Sequence, residues 1–263
     1  MDGTMPDIRE REDLHPAVRD RLGDKLRFVT PLRSRVILSR RYDVPVLFTV
    51  NNRSDRIHAM HLKGRFYEAG QLEILAEHMP EGGTFMDVGA NIGNHSLYML
   101  LLGGAARVIP VEPNPDAIEL YLSNMALNDL LDRVDVAALG YGLDAADADG
   151  LKVHAPKGNL GWATLKPEAE AARGGAEVSV RAGDGIVGEA HVDVIKMDVE
   201  GMEIGALKGL EATITRCKPK LFVEVDTRNR AAFFELMGRW GYETVQAFKE
   251  NRLNQNLLMG PKP

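Results

Sequence analysis

The chain has 263 residues, 44% of them apolar and 27% charged. That suits one large or two small soluble domains and excludes pervasive disorder, collagen and long coiled coils. Its 32 basic and 38 acidic side chains give a net charge of −6, a poor balance for sequence-independent nucleic-acid binding. With one cysteine, Cys217, neither an internal disulfide nor a cysteine zinc cluster can form.

In chain order, the polar and mostly acidic start has neither the basic flank nor the apolar core of a secretion signal. No later stretch approaches the ~20 apolar residues of a membrane span, so a cytoplasmic location is expected. Residues 1–66 read as an N-terminal arm followed by a β-rich extension. Its apolar runs (Val36-Ile37-Leu38, Val44–Val50 and Ile57–Leu62) are taken as strands. Residues 67–263 read as a second unit in which strands and helices alternate. Gln71–His78 is a short helix, and Thr84–Gly89 a strand. Ile92–Leu102 is a helix, and Ala106–Glu112 a strand. Pro115–Asn128 is a helix with Asn114 as its N-cap. Asp132–Leu139 is a strand, and residues 141–191 are a β-rich insertion, expected to cover one side of the site. Asp193–Val199 is a strand, Met202–Thr215 a helix, Lys220–Val225 a strand and Arg228–Trp240 a helix. A final strand pair closes the chain as an antiparallel edge hairpin. Apolar strand cores alternating with helical patterns predict an α/β fold, with a mostly parallel sheet covered on both faces.

The first strand runs into Asp87-Val88-Gly89-Ala90-Asn91-Ile92-Gly93 and then a helix. Glycine permits positive φ and close ligand approach, and a helix N-terminus offers free N–H groups. A dinucleotide site wants G-x-G-x-x-G around a pyrophosphate. Here a carboxylate opens the turn and the glycine triplet is missing. Asp87 would repel phosphate but suits an ammonium group. Glu112 follows Gly93 by 19 residues, at the end of the second strand, where a carboxylate grips ribose hydroxyls. An amine at one end and a ribose at the other describe S-adenosyl-L-methionine. The plain alternative is a structural strand–helix turn with an unrelated acid after it.

The segments DVGANIGNHSLY, VIPVEPNPDAIELYLSNMALN, VIKMDVEGMEIGALKGL and PKLFVEV occur in that order between Tyr67 and Val225. In this combination the chain resembles the FkbM-type S-adenosylmethionine-dependent methyltransferases. The resemblance implies the class I methyltransferase fold, a Rossmann-like sheet, and methylation of hydroxyl oxygens on saccharides or polyketide-like natural products. It implies cofactor contacts for Asp87, Gly89, Ala90, Asn91, Gly93, Asn94, Glu112, Pro113 and Asn114, and a place near the methyl group for Asp198. It also implies that the Tyr67-Glu68 segment folds over the cofactor. One departure is Glu224-Val225-Asp226, where family members often carry Glu-Val-His.

Charges interrupt two strands that should be apolar. Lys196 and Asp198 share a face, two residues apart, and Glu224 sits in the next strand. A lysine there needs partners, and Asp198, Glu224 or both are expected to supply them. For a hydroxyl acceptor the candidate bases are Asp198, Glu200, Glu224 and a neutral Lys196. Glu200 and Glu203 also suit the dipole of the helix they open. Asn159 and Trp162, set between glycines in the insertion, are candidate saccharide contacts. His58 and His61, read on a strand, would face opposite ways, so no metal site is expected. His95 reads as a helix-end residue.

The expected partner is a small hydroxylated acceptor, a saccharide or secondary metabolite, with no nucleic acid and no membrane. Self-association is left open. Acceptors bearing nitrogen or a carboxylate remain alternatives, as do a nucleotide-dependent oxidoreductase and a noncatalytic S-adenosylmethionine-binding protein.

Overall fold

The computed structural model describes residues 34–154, 164–165, 177–248 and 253–263. Two short strands come first, β1 (Arg35–Ser39) and β2 (Val46–Val50), paired antiparallel. Two helices follow, α1 (Arg56–His61) and α2 (Ala69–Glu77). The third apolar run of the extension is therefore helical, not a strand. Asp55 starts α1 by accepting hydrogen bonds from the backbone N–H of Ile57 and His58. The extension does not stand apart. Asn124 and Asn128 accept from the amides of Thr49 and Leu47 and so tie β2 to a helix of the main unit.

That unit begins with β3 (Gly83–Val88), α3 (Asn94–Leu101), β4 (Ala105–Val111) and α4 (Pro115–Leu127). Asn114 caps α4 at the Asp116 amide, as its sequence predicts. Residues 132–139, expected as a strand, form two 3-10 turns instead, and pair with β4 and Glu112 through the isolated bridges Val108–Val134 and Glu112–Leu139 rather than a continuous ladder. Asp135 explains the lapse. Its carboxylate caps the second turn at the Ala137 amide and binds Arg107, pulling the backbone out of an extended ladder.

The insertion is β-rich in its described part. Strands β5 (Tyr141–Leu143), β6 (Ala148–His154), β7 (Thr164–Leu165) and β8 (Glu177–Arg181) form a sheet of order β5-β8-β6-β7, followed by α5 (Gly183–Val187). The main sheet resumes with β9 (Val194–Met197). Then come α6 (Glu203–Gly209), α7 (Glu211–Cys217), β10 (Lys220–Asp226), α8 (Arg230–Arg239), β11 (Tyr242–Ala247) and β12 (Asn254–Pro261). The single helix expected over Met202–Thr215 is broken at Leu210. Asp184 accepts from the amides of Ala212 and Thr213, which lets α7 start afresh.

The main sheet runs β11-β12-β10-β9-β3-β4. Strands β4, β3, β9 and β10 are parallel, and β12 lies antiparallel between β10 and β11. Alternate residues feed two cores. Phe85, Val108, Val194 and Phe222 pack with α2, α3 and α4, whereas Met86, Ile109, Ile195 and Val223 pack with α6, α7 and α8. Burial on both faces is why these strands read as continuous apolar runs. The chain order reverses between β3 and β9, and a crevice opens there beyond the carboxyl ends of the strands.

Candidate active site

Gly89 ends β3 with φ +74°, and its amide, like that of Ala90, donates to the Val111 carbonyl. A Cβ on Gly89 would lie 1.9 Å from the Asp198 carbonyl oxygen, so glycine is required where β3 and β9 leave the sheet together. Asn91 takes φ +49°, a left-handed conformation that asparagine tolerates. A Cβ on Gly93 (φ +84°) would crowd Tyr121 and Met125. The turn thus stays close to the sheet and leaves a cavity above it.

One side of the cavity is formed by Gly89, Ala90, Asn91, Val111, Glu112 and Pro113. Gly142 and Leu143 of β5, at the start of the insertion expected to cover one side of the site, close it. The other side carries Tyr67, Glu68, Asn94, His95, Lys196, Asp198 and Glu200, with Ile57, Val199 and Met202 as apolar wall. The residues expected at a cofactor and at a reacting hydroxyl therefore meet in one space, with four exceptions.

Asp87 does not reach the cavity. It is 0% exposed; Oδ2 accepts from the Ser96 amide at 3.0 Å and the Ser96 hydroxyl at 2.6 Å, and Oδ1 faces Lys196 Nζ at 3.5 Å. The expected direct contact with an amine is corrected accordingly. Gly93 and Asn114 act on helix geometry rather than in the cavity. Glu224 lies behind Asp198 and Glu200 rather than in the cavity wall, and Asn254 Nδ2 donates to it.

Lys196 pairs across the register of β3 and β9 with Asp87, a partner not expected, and donates to the Gly89 carbonyl at 2.9 Å; Asp198 and Glu224, expected near it, are close enough for their charges to act on it. Burial pushes its ammonium down, but the carboxylates of Asp87, Asp198, Glu68 and Glu224 outweigh it and the pKa is raised. Asn94 has its amide filled: Oδ1 accepts from the Tyr67 amide (2.9 Å) and pairs with His61 Nε2 (3.0 Å), and Nδ2 donates to the Tyr67 carbonyl (3.1 Å). His61 and His58 are both buried on α1, which replaces the strand geometry expected of them.

Glu112 accepts from the amides of Asn91 and Asn114, each at 2.8 Å, and burial raises its pKa to about 7. Burial followed by the charge of Asp198 raises Glu200 to about 7 and Glu224 to about 8. Glu200 holds φ +49°. One carboxylate oxygen from each of Asp198, Glu200 and Glu224 lies within 4.8 Å of the other two, a donor set with the chemistry of a hard divalent cation that histidine spacing does not reveal. Glu203, 0% exposed, accepts from the Asp226 amide and Asn229 and joins α6 to the end of β10. Asn159 and Trp162 lie outside the described residues.

A mixed sheet of this order, with a crevice at its reversal and an acid at the end of its second parallel strand, defines the class I methyltransferase architecture. The chain belongs to the FkbM methyltransferase family: residues 87–250 match the methyltransferase FkbM domain. It is 30% identical over 168 residues to the hexuronic acid methyltransferase AglP of Haloferax volcanii, a match covering 62% of this chain and 63% of that protein. It is 31% identical over 177 residues to methyltransferase sdnD of Sordaria araneosa, covering 53% of this chain and 67% of that protein. A crystal structure of an FkbM methyltransferase from Methylobacillus flagellatus KT is similar with a TM-score of 0.48 and 20% identity, covering 77% of this chain and 52% of that one. Among the described residues no helix is long and apolar enough to cross a membrane.

Proposed function

We propose that the protein is an S-adenosyl-L-methionine-dependent O-methyltransferase acting on a hydroxyl of a saccharide or polyketide-like metabolite in the cytoplasm. The observation that carries this reading is that Asn91 and Glu112 share one cavity with Asp198 and Glu200. Glu112, tied to two amides, keeps lone pairs for ribose hydroxyls, and the close turn at Gly89 leaves room for a nucleoside beside Gly142 and Leu143. The cofactor supplies an electrophilic methyl group. Asp198, at the reversal of the sheet, favours a positive charge beside it. Glu200, in the cavity wall with its pKa raised to about 7, is placed and poised to take the proton of an attacking hydroxyl. The charges of Asp198 and Asp226 add to burial in raising the basicity of Glu200.

The test is methyl transfer from S-adenosyl-L-methionine to a panel of saccharides and hydroxylated metabolites, with S-adenosylhomocysteine affinity measured alongside. Glu200→Gln is expected to lower kcat by roughly 10²–10⁴-fold while leaving that affinity nearly unchanged. Unchanged turnover would remove Glu200 as the base. Preferred transfer to amines or carboxylates would replace the hydroxyl acceptor.

A further inference from the structure

Charge is divided unevenly along the chain. Residues 34–66 carry seven basic and two acidic side chains, net +5, whereas residues 67–263 carry 18 basic and 29 acidic, net −11. All seven cations of the first stretch are exposed. The overall charge of −6 therefore hides a basic extension on an acidic body.

Five of the seven belong to one neighbourhood. Arg35 opens β1, and Arg40 and Arg41 follow its end. The Ser39 hydroxyl donates to the Gly64 carbonyl at 2.8 Å, and the Phe66 amide donates to the Tyr42 hydroxyl at 3.0 Å. These bonds lay residues 39–42 against residues 64–66, which brings Lys63 and Arg65 alongside Arg40 and Arg41. Among the described residues none of the five forms an ion pair with a carboxylate. Two bare apolar side chains lie between them. Ile37 packs against the core and Ser39 is buried, so Val36 and Leu38 share the outer face of β1, where they are 43% and 49% exposed.

Charged side chains alone often guard an exposed strand edge. That role asks neither for Lys63 and Arg65 alongside nor for Val36 and Leu38 left bare among cations. A second copy pairing antiparallel along β1 about Ile37 would set Arg35 of one chain opposite Ser39 and next to Arg40 of the other, where like charges repel. A single-stranded nucleic acid calls for aromatic faces to stack on, whereas Tyr42 is packed against Phe66. Apolar side chains ringed by arginines fit the surface of an anionic bilayer: lipid phosphates take the guanidinium groups and the interface takes the valine and leucine. Contact of this kind needs no spanning segment.

We propose that the outer face of β1, with Arg35, Arg40, Arg41, Lys63 and Arg65 around Val36 and Leu38, docks the protein on an anionic lipid surface. The same surface repels the acidic body, which turns the extension towards the lipid. Ile57 of the extension lines the cavity, so the docked face and part of the cavity wall come from one stretch of chain.

Co-sedimentation of the 263-residue chain with vesicles tests it. Binding is expected to phosphatidylcholine vesicles containing about 30% phosphatidylglycerol, and to be about tenfold weaker or less to phosphatidylcholine alone. Raising salt from about 0.1 M to about 0.5 M should weaken it at least about tenfold. Arg40→Glu with Arg41→Glu should weaken it at least about 30-fold. Val36→Ser with Leu38→Ser should weaken it about fivefold or more and leave the salt dependence in place. All four positions are exposed, and thermal unfolding checks that both double variants keep the fold. Failure of the wild-type protein to bind the anionic vesicles would overturn the proposal, as would binding that neither double variant weakens. Binding that only the charge variant weakens, and that heparin displaces, would assign the patch to a soluble polyanion and overturn the lipid surface.

Discussion

At the scale of single residues, the site is organised by a buried ion pair that sequence alone assigned differently. Lys196 is 4% exposed and Asp87 0%. They face each other because β3 and β9 run parallel with these two residues in register. Removing one partner of such a pair strands the other in a medium that solvates it poorly, at a cost of about 3–5 kcal/mol. Lys196→Met is therefore expected to destabilise the protein by that order in the wild-type background. In an Asp87→Asn background the loss should be much smaller, because no bare charge remains. Urea denaturation of the two single variants and the double variant measures the coupling; additive losses would show that the pair does not act as a unit. The same lysine also fastens the Gly89 carbonyl, so loosening it should be felt in the turn after β3 before it is felt at Glu200.

Elements were legible where one periodicity dominated and lost where a side chain overrode it. Strands β3, β4, β9 and β10 read cleanly because both faces are buried, and α4 because Asn114-Pro115 announces its start. Residues 132–139 carry an equally apolar pattern, yet Asp135 spends its carboxylate on a local cap, which pattern does not show. Ile57–Leu62 was read as a strand although Asp55 stands where an N-cap belongs. The two buried histidines then fall on a helix, and His61 reaches Asn94. This link was invisible because it joins residues 33 apart, and it gives Asn94 a task its place in the motif does not suggest. Asn94 clasps the segment carrying Tyr67 and Glu68 to α3. Asn94→Ala leaves the Tyr67 amide and the His61 ring without partners, at about 1–3 kcal/mol each. Amide hydrogen exchange at Tyr67 should accelerate by about tenfold or more. Asn94→Asp, which keeps both acceptor contacts, should fall between. An unchanged Tyr67 exchange rate in Asn94→Ala would mean the segment is held by other contacts.

At the scale of the whole molecule, two sets of buried groups pull stability in opposite directions with pH. Burial lowers His61 and His95 to about 3 from their ordinary 6.5. Between those values the unfolded chain binds protons that the folded chain refuses, so stability falls as pH drops through the window. Burial raises Glu112 and Glu200 to about 7 and Glu224 to about 8 from 4.5, the latter two also through neighbouring carboxylates. Here the folded chain keeps protons that the unfolded chain has released, so their contribution is present at low pH and lost as pH rises towards 7–8. The windows overlap between 4.5 and 6.5 and offset one another there. Below the overlap only the histidine effect operates, and above it only the glutamate effect. Denaturant unfolding of the ligand-free protein across this range should therefore give a maximum at mildly acidic pH with a decline on each side. Glu224→Gln should flatten the alkaline limb and leave the acid limb in place, because an amide cannot release the proton that Glu224 loses there. His95→Phe should do the reverse. If Glu224→Gln left the alkaline limb as steep as before, the raised pKa would have to reside in Glu112 or Glu200, and Glu224 would not be coupled to Asp198 and Glu200 as their spacing implies.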